Sequence, residues 1–345
     1  LNWDLSWPWL TFGNVFASHT NWIQWYSYTG VLGGSLWILV INFLFFRLYS
    51  AYFSYGISFN AFIRKKQPLI YFISLLLLLI IPVITSIYIK HIHSLSFNSK
   101  KNPKIDVLIV QPNINPYTDK FVLSQKKQTN YVLDLIKPHV SSNLNYIILP
   151  ETFLIHPIWE HGFLNNLDIK RLHQIVNEYP SEHIRDSKKY TYYPISILVG
   201  ATTLDLSTKS ATSKHMNNHK NQFYEVYNTA LKISNILAYE DSLGVVKSDL
   251  RVDKYHKSKL VPGAEQIPFN NFLHPLLGDQ ILQIGSSTSL GNFTAQDSVS
   301  LFHSFTHEGT KKNSRYDYSI APIICYESIY GDYVRKFVEK GAEAI

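Results

Sequence analysis

Three residues whose types suit carbonyl chemistry each lie beside an apolar run or a Pro-marked turn. Cys325 is the chain's one cysteine and directly follows the apolar run 320–324. Glu151 follows a second apolar run, and Lys257 lies in segment 255–265 (Tyr-His-Lys-Ser-Lys-Leu-Val-Pro-Gly-Ala-Glu). A solitary thiol at a strand end is a candidate nucleophile, which needs a base for its proton and a positive group for the developing oxyanion. The sequence therefore predicts a Glu-Lys-Cys set that attacks an ester or amide carbonyl.

Taken singly, each of these residues has a simpler interpretation. A lone cysteine is usually a small buried apolar residue, and a glutamate at a strand end is usually a surface carboxylate. Lys257 lies in a basic cluster with Lys254, His256 and Lys259. The combination favours catalysis because all three types occur beside strand ends or turns. The backbone N–H of Tyr326 is a candidate second donor to the oxyanion.

Composition limits the possible partners. The formal net charge is +7, but the chain has no Lys/Arg-rich recognition helix, so we expect no nucleic-acid partner. Attraction to anionic phospholipid explains the charge as well, and a merely basic soluble surface stays an alternative. The 14 histidines show no ligand spacing supported by nearby Cys or acidic residues, so we expect no metal and no cofactor.

The first part of the chain has the composition of a membrane region. Residues 68–89 contain no charge and are long enough to cross a hydrocarbon core of about 30 Å. A second predicted span covers about 30–50, and the connection 47–67 carries four basic and no acidic residues. By the positive-inside rule this connection is cytoplasmic, which places the large domain outside. We therefore predict a membrane region over 1–95 and a catalytic domain over 96–345.

The second part has the pattern of an α/β domain. Residues 121–136 have helical spacing, and five apolar runs are strand candidates separated by helices or long connections. These predicted strands are 105–110, 146–149, 195–201, 227–233 and 320–325. Residues 204–222 and 285–315 are polar and predict solvated excursions.

Three motifs together resemble a known superfamily. Pro-Glu-Thr at 150–152, Tyr-x-Lys-x-x-Leu-Val-Pro-x-x-Glu at 255–265 and Ile-Cys-Tyr-Glu at 324–327 are similar to the signatures of carbon–nitrogen hydrolases (nitrilases). The Leu-Val-Pro-x-x-Glu form behind transmembrane helices resembles the apolipoprotein N-acyltransferase family. Residues 13–42 also resemble that family's segment leading into a membrane span.

This resemblance implies an αββα sandwich, incomplete at its C-terminus and preceded by transmembrane helices. It implies that Cys325 is the nucleophile, Glu151 the general base and Lys257 the oxyanion-stabilising cation. Glu265 and Glu327 match acidic residues that support this triad in the family. The implied enzyme takes an acyl chain from a phospholipid through a cysteine thioester to the N-terminal amine of a diacylglyceryl-cysteine apolipoprotein. It would be a multi-pass protein of the bacterial inner membrane with its catalytic domain on the periplasmic side.

The chain departs from the family pattern at three points. Lys259 stands where the family commonly has His, and Gly263-Ala264 replaces the usual Phe-Gly before Glu265. The resemblance also implies a fragment, because the family's remaining strands and a closing membrane helix would follow residue 345. Whether such a fragment is active stays open. Two alternatives also stay open, namely a membrane-tethered amidase or nitrilase-type hydrolase with the same triad and a module that has lost activity.

Overall fold

The computed structural model describes most of the chain, in stretches separated by gaps. The described residues are 7–55, 59–62, 65–97, 104–115, 118–120, 122–141, 144–178, 184–186, 189–191, 195–208, 210, 212–216, 222–235, 239–240, 246–247, 250–269, 272, 293–307 and 315–345. Contacts divide the chain into one unit at Trp7–Asn102 and another formed mainly by Pro103–Ile345.

The unit Trp7–Asn102 is helical. Its α-helices are α1 (Tyr26–Tyr55), α2 (Phe59–Phe62) and α3 (Lys66–Phe97). Helices α1 and α3 are long and apolar enough to cross a membrane, and most of their apolar side chains are exposed rather than packed inside the chain. A helix that is apolar on all sides is stable when lipid or protein surrounds it. The two apolar helices that the sequence predicts are thus confirmed as helices.

Polar side chains link the elements of this helical unit. The Trp37 indole nitrogen donates to the Leu78 carbonyl oxygen at 2.7 Å, which joins α1 to α3. The Ser86 hydroxyl donates to the Trp22 carbonyl oxygen at 2.7 Å and joins α3 to the segment that precedes α1. Such bonds are favourable in an apolar environment because the backbone carbonyl gains a partner that lipid does not supply.

The unit Pro103–Ile345 contains the strands. Their bounds are β1 (Asp106–Ile109), β2 (Leu144–Ile148), β3 (Leu154–Trp159), β4 (Ile184–Asp186), β5 (Lys189–Thr191), β6 (Ser196–Ser207), β7 (Lys214–His215), β8 (Phe223–Asn235), β9 (Tyr239–Glu240), β10 (Val246–Lys247), β11 (Leu250–His256), β12 (Phe302–His307) and β13 (Arg315–Ile320). Seven of them form a mixed sheet with the order β1-β2-β6-β8-β11, in which β3 also pairs with β6 and β7 with β8. Strands β1, β2 and β6 are parallel, whereas β6, β8 and β11 are antiparallel.

Helices cover one face of this sheet. Helix α4 (Gln125–Ile136) begins after Ser124, whose hydroxyl accepts from the Lys127 backbone N–H, and α5 (Leu167–Glu178) packs beside it. Their apolar side chains form one core cluster with the sheet residues Ile197, Val199, Leu231 and Ile233. Full burial of one such aliphatic side chain stabilises the fold by about 1.5–3 kcal/mol.

The C-terminal segments cover the other face. Strands β12 and β13 pair with each other, and helix α6 (Gly331–Glu339) follows. Tyr333 and Phe337, four residues apart on α6, are buried with Tyr255 of β11 and Phe302 of β12 in one apolar cluster. This layer places segment 321–330 against the same sheet face as Tyr255.

The structure confirms a mixed α/β domain and refines the predicted elements. Predicted strand 320–325 is wrong beyond Ile320, where β13 ends, because 321–324 is irregular and a 3₁₀-helix begins at Cys325. The polar excursion 285–315 contains β12, and residues 285–292 and 308–314 lie outside the described residues. The complete αββα sandwich stays a prediction.

Candidate active site

Glu151 lies in a tight turn between β2 and β3. A Cβ added at Gly200 of β6 would lie 2.5 Å from the Thr152 backbone nitrogen and 2.7 Å from the Glu151 Cα, so this turn requires glycine at 200. Thr152 has φ of 50°, a left-handed conformation that non-glycine residues rarely adopt. The sheet thus holds the Glu151 backbone in one close-packed position.

Lys257 directly follows β11. Its backbone N–H donates to the Asn228 carbonyl oxygen of β8 at 2.8 Å, which continues the ladder by one residue. Only 1% of the residue is exposed. An ammonium buried to this degree requires compensating charge.

Cys325 is the first residue of the 3₁₀-helix Cys325–Ile329 and has φ of 44°. The Ser328 hydroxyl donates to the Cys325 carbonyl oxygen at 2.7 Å, which closes this turn. Cys325 is exposed. A non-glycine residue in this conformation is strained, and the strain persists only where the surrounding structure fixes it.

The side chains of the three residues meet. The Lys257 ammonium lies 3.3 Å from Oε1 of Glu151 and 2.9 Å from Oε1 of Glu265. The Cys325 thiol lies close enough to feel the charges of Glu151, Lys257 and Glu265. The Glu151 side chain keeps 35% of its surface exposed. A substrate can therefore reach the thiol and the carboxylate, while the ammonium lies beneath them.

The charges set the resting protonation of the thiol and the amine. Cys325 is exposed overall, but partial burial of its thiol raises the thiol pKa, and the Glu151 carboxylate raises it further against the opposing effect of Lys257. Burial alone would lower the pKa of Lys257, but the carboxylates of Glu265 and Glu151 outweigh it and raise that pKa. The resting arrangement is thus a neutral thiol beside an ammonium.

Glu265 is fixed by its own turn. Its Oε2 accepts from the Val261 backbone N–H at 2.9 Å, and the Glu265 N–H donates to the Val261 carbonyl oxygen at 2.9 Å. Gly263 has φ of 79°, so the Gly-Ala pair found here supplies a residue that adopts the left-handed conformation freely. Despite the departure from the family pattern, Glu265 contacts Lys257.

Glu327 joins the lysine loop to the cysteine helix. The residue is 0% exposed, and its carboxylate accepts from the Tyr255 hydroxyl at 2.6 Å, the Ser258 N–H at 2.6 Å and the Ile324 N–H at 2.8 Å. Burial raises the pKa of Glu327, and these hydrogen bonds oppose that effect. Glu327 thus positions the loop after Lys257 and the turn before Cys325 without touching the thiol.

Tyr326 and Lys259, which the sequence also singled out, lie next to Glu327 in the chain or in the fold. Tyr326 is buried, and its ring packs edge-to-face on Tyr330 with centroids 5.2 Å apart. Lys259, where the family commonly has His, places its ammonium 5.4 Å from the Tyr333 ring centroid and 5.7 Å from that of Tyr330. Cation–π contact therefore accommodates the substitution at 259.

A cavity of about 300 Å³ opens beside Glu151. Its lining residues are Gln111, Pro112, Asn113, Ile114, Lys120, Gln128, Pro150, Glu151 and Phe153. The Lys120 ammonium donates to the Thr152 hydroxyl at 2.7 Å, and the Gln128 amide donates to the Lys120 carbonyl oxygen at 2.6 Å. Helix α4 thereby braces the turn that carries Glu151.

Sequence reasoning missed Asn228, whose amide contacts both Glu151 and Glu265. A polar residue at a strand position otherwise filled by buried side chains is the signal that could have found it. It also missed Gly200, although the Gly-Ala pair at the end of the predicted strand 195–201 was visible. Over the described ranges, His, Cys, Asp and Glu side chains form no group of three that could hold a metal ion.

Comparison with known proteins gives two relatives with the same name. The chain is 22% identical over 342 residues to the apolipoprotein N-acyltransferase of Chlorobaculum tepidum, which covers 99% of this chain and 54% of the relative. It is 25% identical over 242 residues to the apolipoprotein N-acyltransferase of Wigglesworthia glossinidia brevipalpis, covering 70% of this chain and 36% of the relative. No protein-family model matches the chain. The chain spans about half the length of the first relative and about a third of the second. These matches confirm that the chain resembles apolipoprotein N-acyltransferases.

Proposed function

We propose that the chain belongs to a membrane acyltransferase that matures lipoproteins through a thioester on Cys325. The observation that carries the proposal is the meeting of Glu151, Lys257 and Cys325, residues distant in sequence, at one partly exposed place. The names of the two relatives support acyl transfer to a lipoprotein, and helices α1 and α3 support a membrane location. Donor and acceptor are then a phospholipid and the N-terminal amine of a diacylglyceryl-cysteine apolipoprotein.

In the first half-reaction the Glu151 carboxylate accepts the thiol proton while the Cys325 sulfur bonds to the ester carbonyl carbon. The carbonyl oxygen becomes an oxyanion, which the Lys257 ammonium and the Tyr326 backbone N–H stabilise. Collapse breaks the carbon–oxygen bond, and the leaving alkoxide takes the proton from Glu151. The products are a lysophospholipid and an acyl thioester on Cys325.

In the second half-reaction the acceptor amine attacks the thioester carbonyl. Glu151 accepts a proton from this nitrogen, the carbon–sulfur bond breaks, and the thiolate regains a proton as the amide leaves. Glu265 and Glu327 hold Lys257 and its loop in place through both steps. Because both substrates are lipids, attachment of the catalytic domain to a membrane raises their effective concentration at the thiol. We place that domain on the periplasmic side of the inner membrane, since the loop between the two spans is basic.

The test is acyl labelling of the purified chain in phospholipid-containing detergent micelles. With a phospholipid that carries a labelled acyl chain, we expect label on the protein that neutral hydroxylamine removes. Because the chain has one cysteine, such a thioester identifies Cys325 directly. Cys325→Ala should abolish the label with little change in stability, because the side chain it removes is small.

The fate of the thioester separates transferase from hydrolase. Discharge of the label only on adding a diacylglyceryl lipopeptide with a free α-amine supports the transferase. Rapid release of free fatty acid without the lipopeptide would instead support an amidase or nitrilase-type hydrolase. Equal labelling of Cys325→Ala would overturn the thioester mechanism.

A further inference from the structure

The geometry assigns Asn228 a positioning role that selects which oxygen of Glu151 meets the thiol. Asn228 lies on β8, is buried, and contacts both carboxylates of the site through its amide nitrogen. A catalytic effect of Asn228 rests on the proposed function. The positioning of Glu151 relative to Cys325 does not depend on it.

Four polar groups form a closed square. The Asn228 amide nitrogen donates to Oε1 of Glu151 at 2.7 Å and to Oε1 of Glu265 at 2.9 Å. The Lys257 ammonium donates to the same two oxygens at 3.3 and 2.9 Å. Two donors thus alternate with two acceptors, and the donors lie between carboxylates that would otherwise repel each other.

The two carboxylates of this square differ in how many of their oxygens accept hydrogen bonds. Glu265 is occupied on both oxygens, because its Oε2 also accepts from the Val261 N–H. The bonds that Glu151 receives from Asn228 and Lys257 both fall on Oε1. In the described part of the chain Oε2 of Glu151 receives no such donor, so we infer that it is the oxygen that faces the thiol and that the amide keeps the carboxylate from rotating to exchange the two.

Asn228 differs from Lys257 in carrying no charge. A second cation at 228 would neutralise Glu151 and weaken it as a base, whereas an amide supplies direction alone. Cross-strand register fixes this partnership, since the Lys257 N–H donates to the Asn228 carbonyl oxygen and brings both side chains to one face of the sheet.

The experiment measures alkylation of Cys325 by iodoacetamide as a function of pH, which needs no lipid substrate. The midpoint of the rate–pH curve reports the thiol pKa. Unfolding would also return that pKa to its ordinary value, so circular dichroism first shows that each variant is folded. The charged groups facing the thiol and Glu151 in the described part of the chain are Lys257, Glu265 and Lys120. All three remain in the variants compared.

Asn228→Ala should lower the alkylation midpoint, because Glu151 is released and the thiol loses its carboxylate partner. Glu151→Gln should lower it too. Asn228→Asp should raise the midpoint, since a third carboxylate joins the cluster. Asn235→Ala is the matched control, because Asn235 lies on the same strand and contacts Asn177 rather than the site. It should leave the midpoint unchanged.

Thioester formation is measured on the same variants. Asn228→Ala should slow acyl labelling by roughly 10- to 100-fold, the loss expected for one hydrogen bond to a charged group. An unchanged midpoint in both Asn228 variants would overturn the inference, whatever happens to labelling. If the midpoints shift as expected and the wild-type chain forms no thioester, the proposed function fails while the role of Asn228 stands.

Discussion

Two consecutive residues, His256 and Lys257, enter two ionic clusters on opposite faces of the sheet. The His256 ring nitrogen contacts Oε1 of Glu160 at 2.6 Å, and Lys254 contacts the other oxygen of Glu160. Thr203 also donates to Oε1 of Glu160, whose side chain is 5% exposed. Lys257 instead faces Glu151, whose side chain is 35% exposed.

The difference separates a buried carboxylate from one that solvent can reach. The hydrogen bonds and charges of His256 and Lys254 outweigh burial and lower the pKa of Glu160 to about 2. Both oxygens of Glu160 have donors, so this carboxylate has no free acceptor for a proton from a substrate. Glu151 also contacts a cation, but in the described part of the chain the bonds from Asn228 and Lys257 both fall on its Oε1. Four pairs of variants or conditions test this contrast.

The largest effect should come from removing one carboxylate in each cluster. Glu151→Gln should slow thioester formation by roughly 10²- to 10⁴-fold, the contribution typical of a general base. Glu160→Gln, the matched change on the other face, should leave the labelling rate within about twofold. Acyl labelling at neutral pH measures both, and an equal loss in the two variants would contradict the division of roles.

Replacing the cations should have unequal effects on stability. Lys257→Met leaves Glu151 and Glu265 without their shared ammonium and should cost about 3–5 kcal/mol, as for other broken buried pairs. Lys254→Met should cost about 1 kcal/mol or less, since the Lys254 side chain is 43% exposed. Chemical denaturation in detergent compares them. A smaller loss for Lys257→Met than for Lys254→Met would contradict the larger contribution expected of the more buried ammonium.

Acid should weaken the Glu160 cluster in a defined window. The folded pKa of Glu160, about 2, lies below its ordinary value, so its contribution is present above about pH 4.5 and is lost as pH falls toward 2. The loss should be on the order of 2–3 kcal/mol. Thermal unfolding between pH 6 and 2.5 should show it. Glu160→Gln should have a flatter pH dependence, and an identical slope would exclude Glu160 as the source.

The smallest effect should come from adding one methyl group at the Glu151 turn. Gly200→Ala forces a Cβ against the Thr152 and Glu151 backbone and should cost about 1–3 kcal/mol, as overpacking does. It should also slow acyl labelling by displacing the carboxylate. Gly162→Ala is the control, because the nearest atom to its added Cβ is 4.0 Å away. Comparable losses in both would show that glycine at 200 has no special role.

The sequence predicts much of the fold because burial and apolar runs coincide. Strands β2, β6 and β8 overlap the runs that predicted them, and the apolar helices follow from length and lack of charge. Strand β12 (Phe-His-Ser-Phe-Thr-His) was missed because its polar residues hide the period-2 pattern. The strand predicted over 320–325 ended early because periodicity alone does not reveal the turn at Cys325.

The sequence likewise predicted some residues of the candidate site and not others. Motifs predicted six site residues, and the structure places them in one turn, one loop and one 3₁₀-helix; their roles stay predictions. The six are Glu151, Lys257, Glu265, Cys325, Tyr326 and Glu327. The sequence did not predict Asn228 or Gly200. Asn228 matters through its cross-strand pairing with Lys257, and Gly200 matters because the Glu151 turn approaches it closely. Neither relation is a property of spacing along the chain.

The raised pKa of Cys325 has a consequence for durability. An ionised sulfur attacks peroxide and disulfides far more readily than a protonated one, so an exposed thiol that rests uncharged is chemically dormant. On the proposed mechanism it becomes reactive only when a carbonyl arrives and Glu151 takes its proton. In an oxidising compartment this dormancy would let a lone reactive sulfur survive between turnovers.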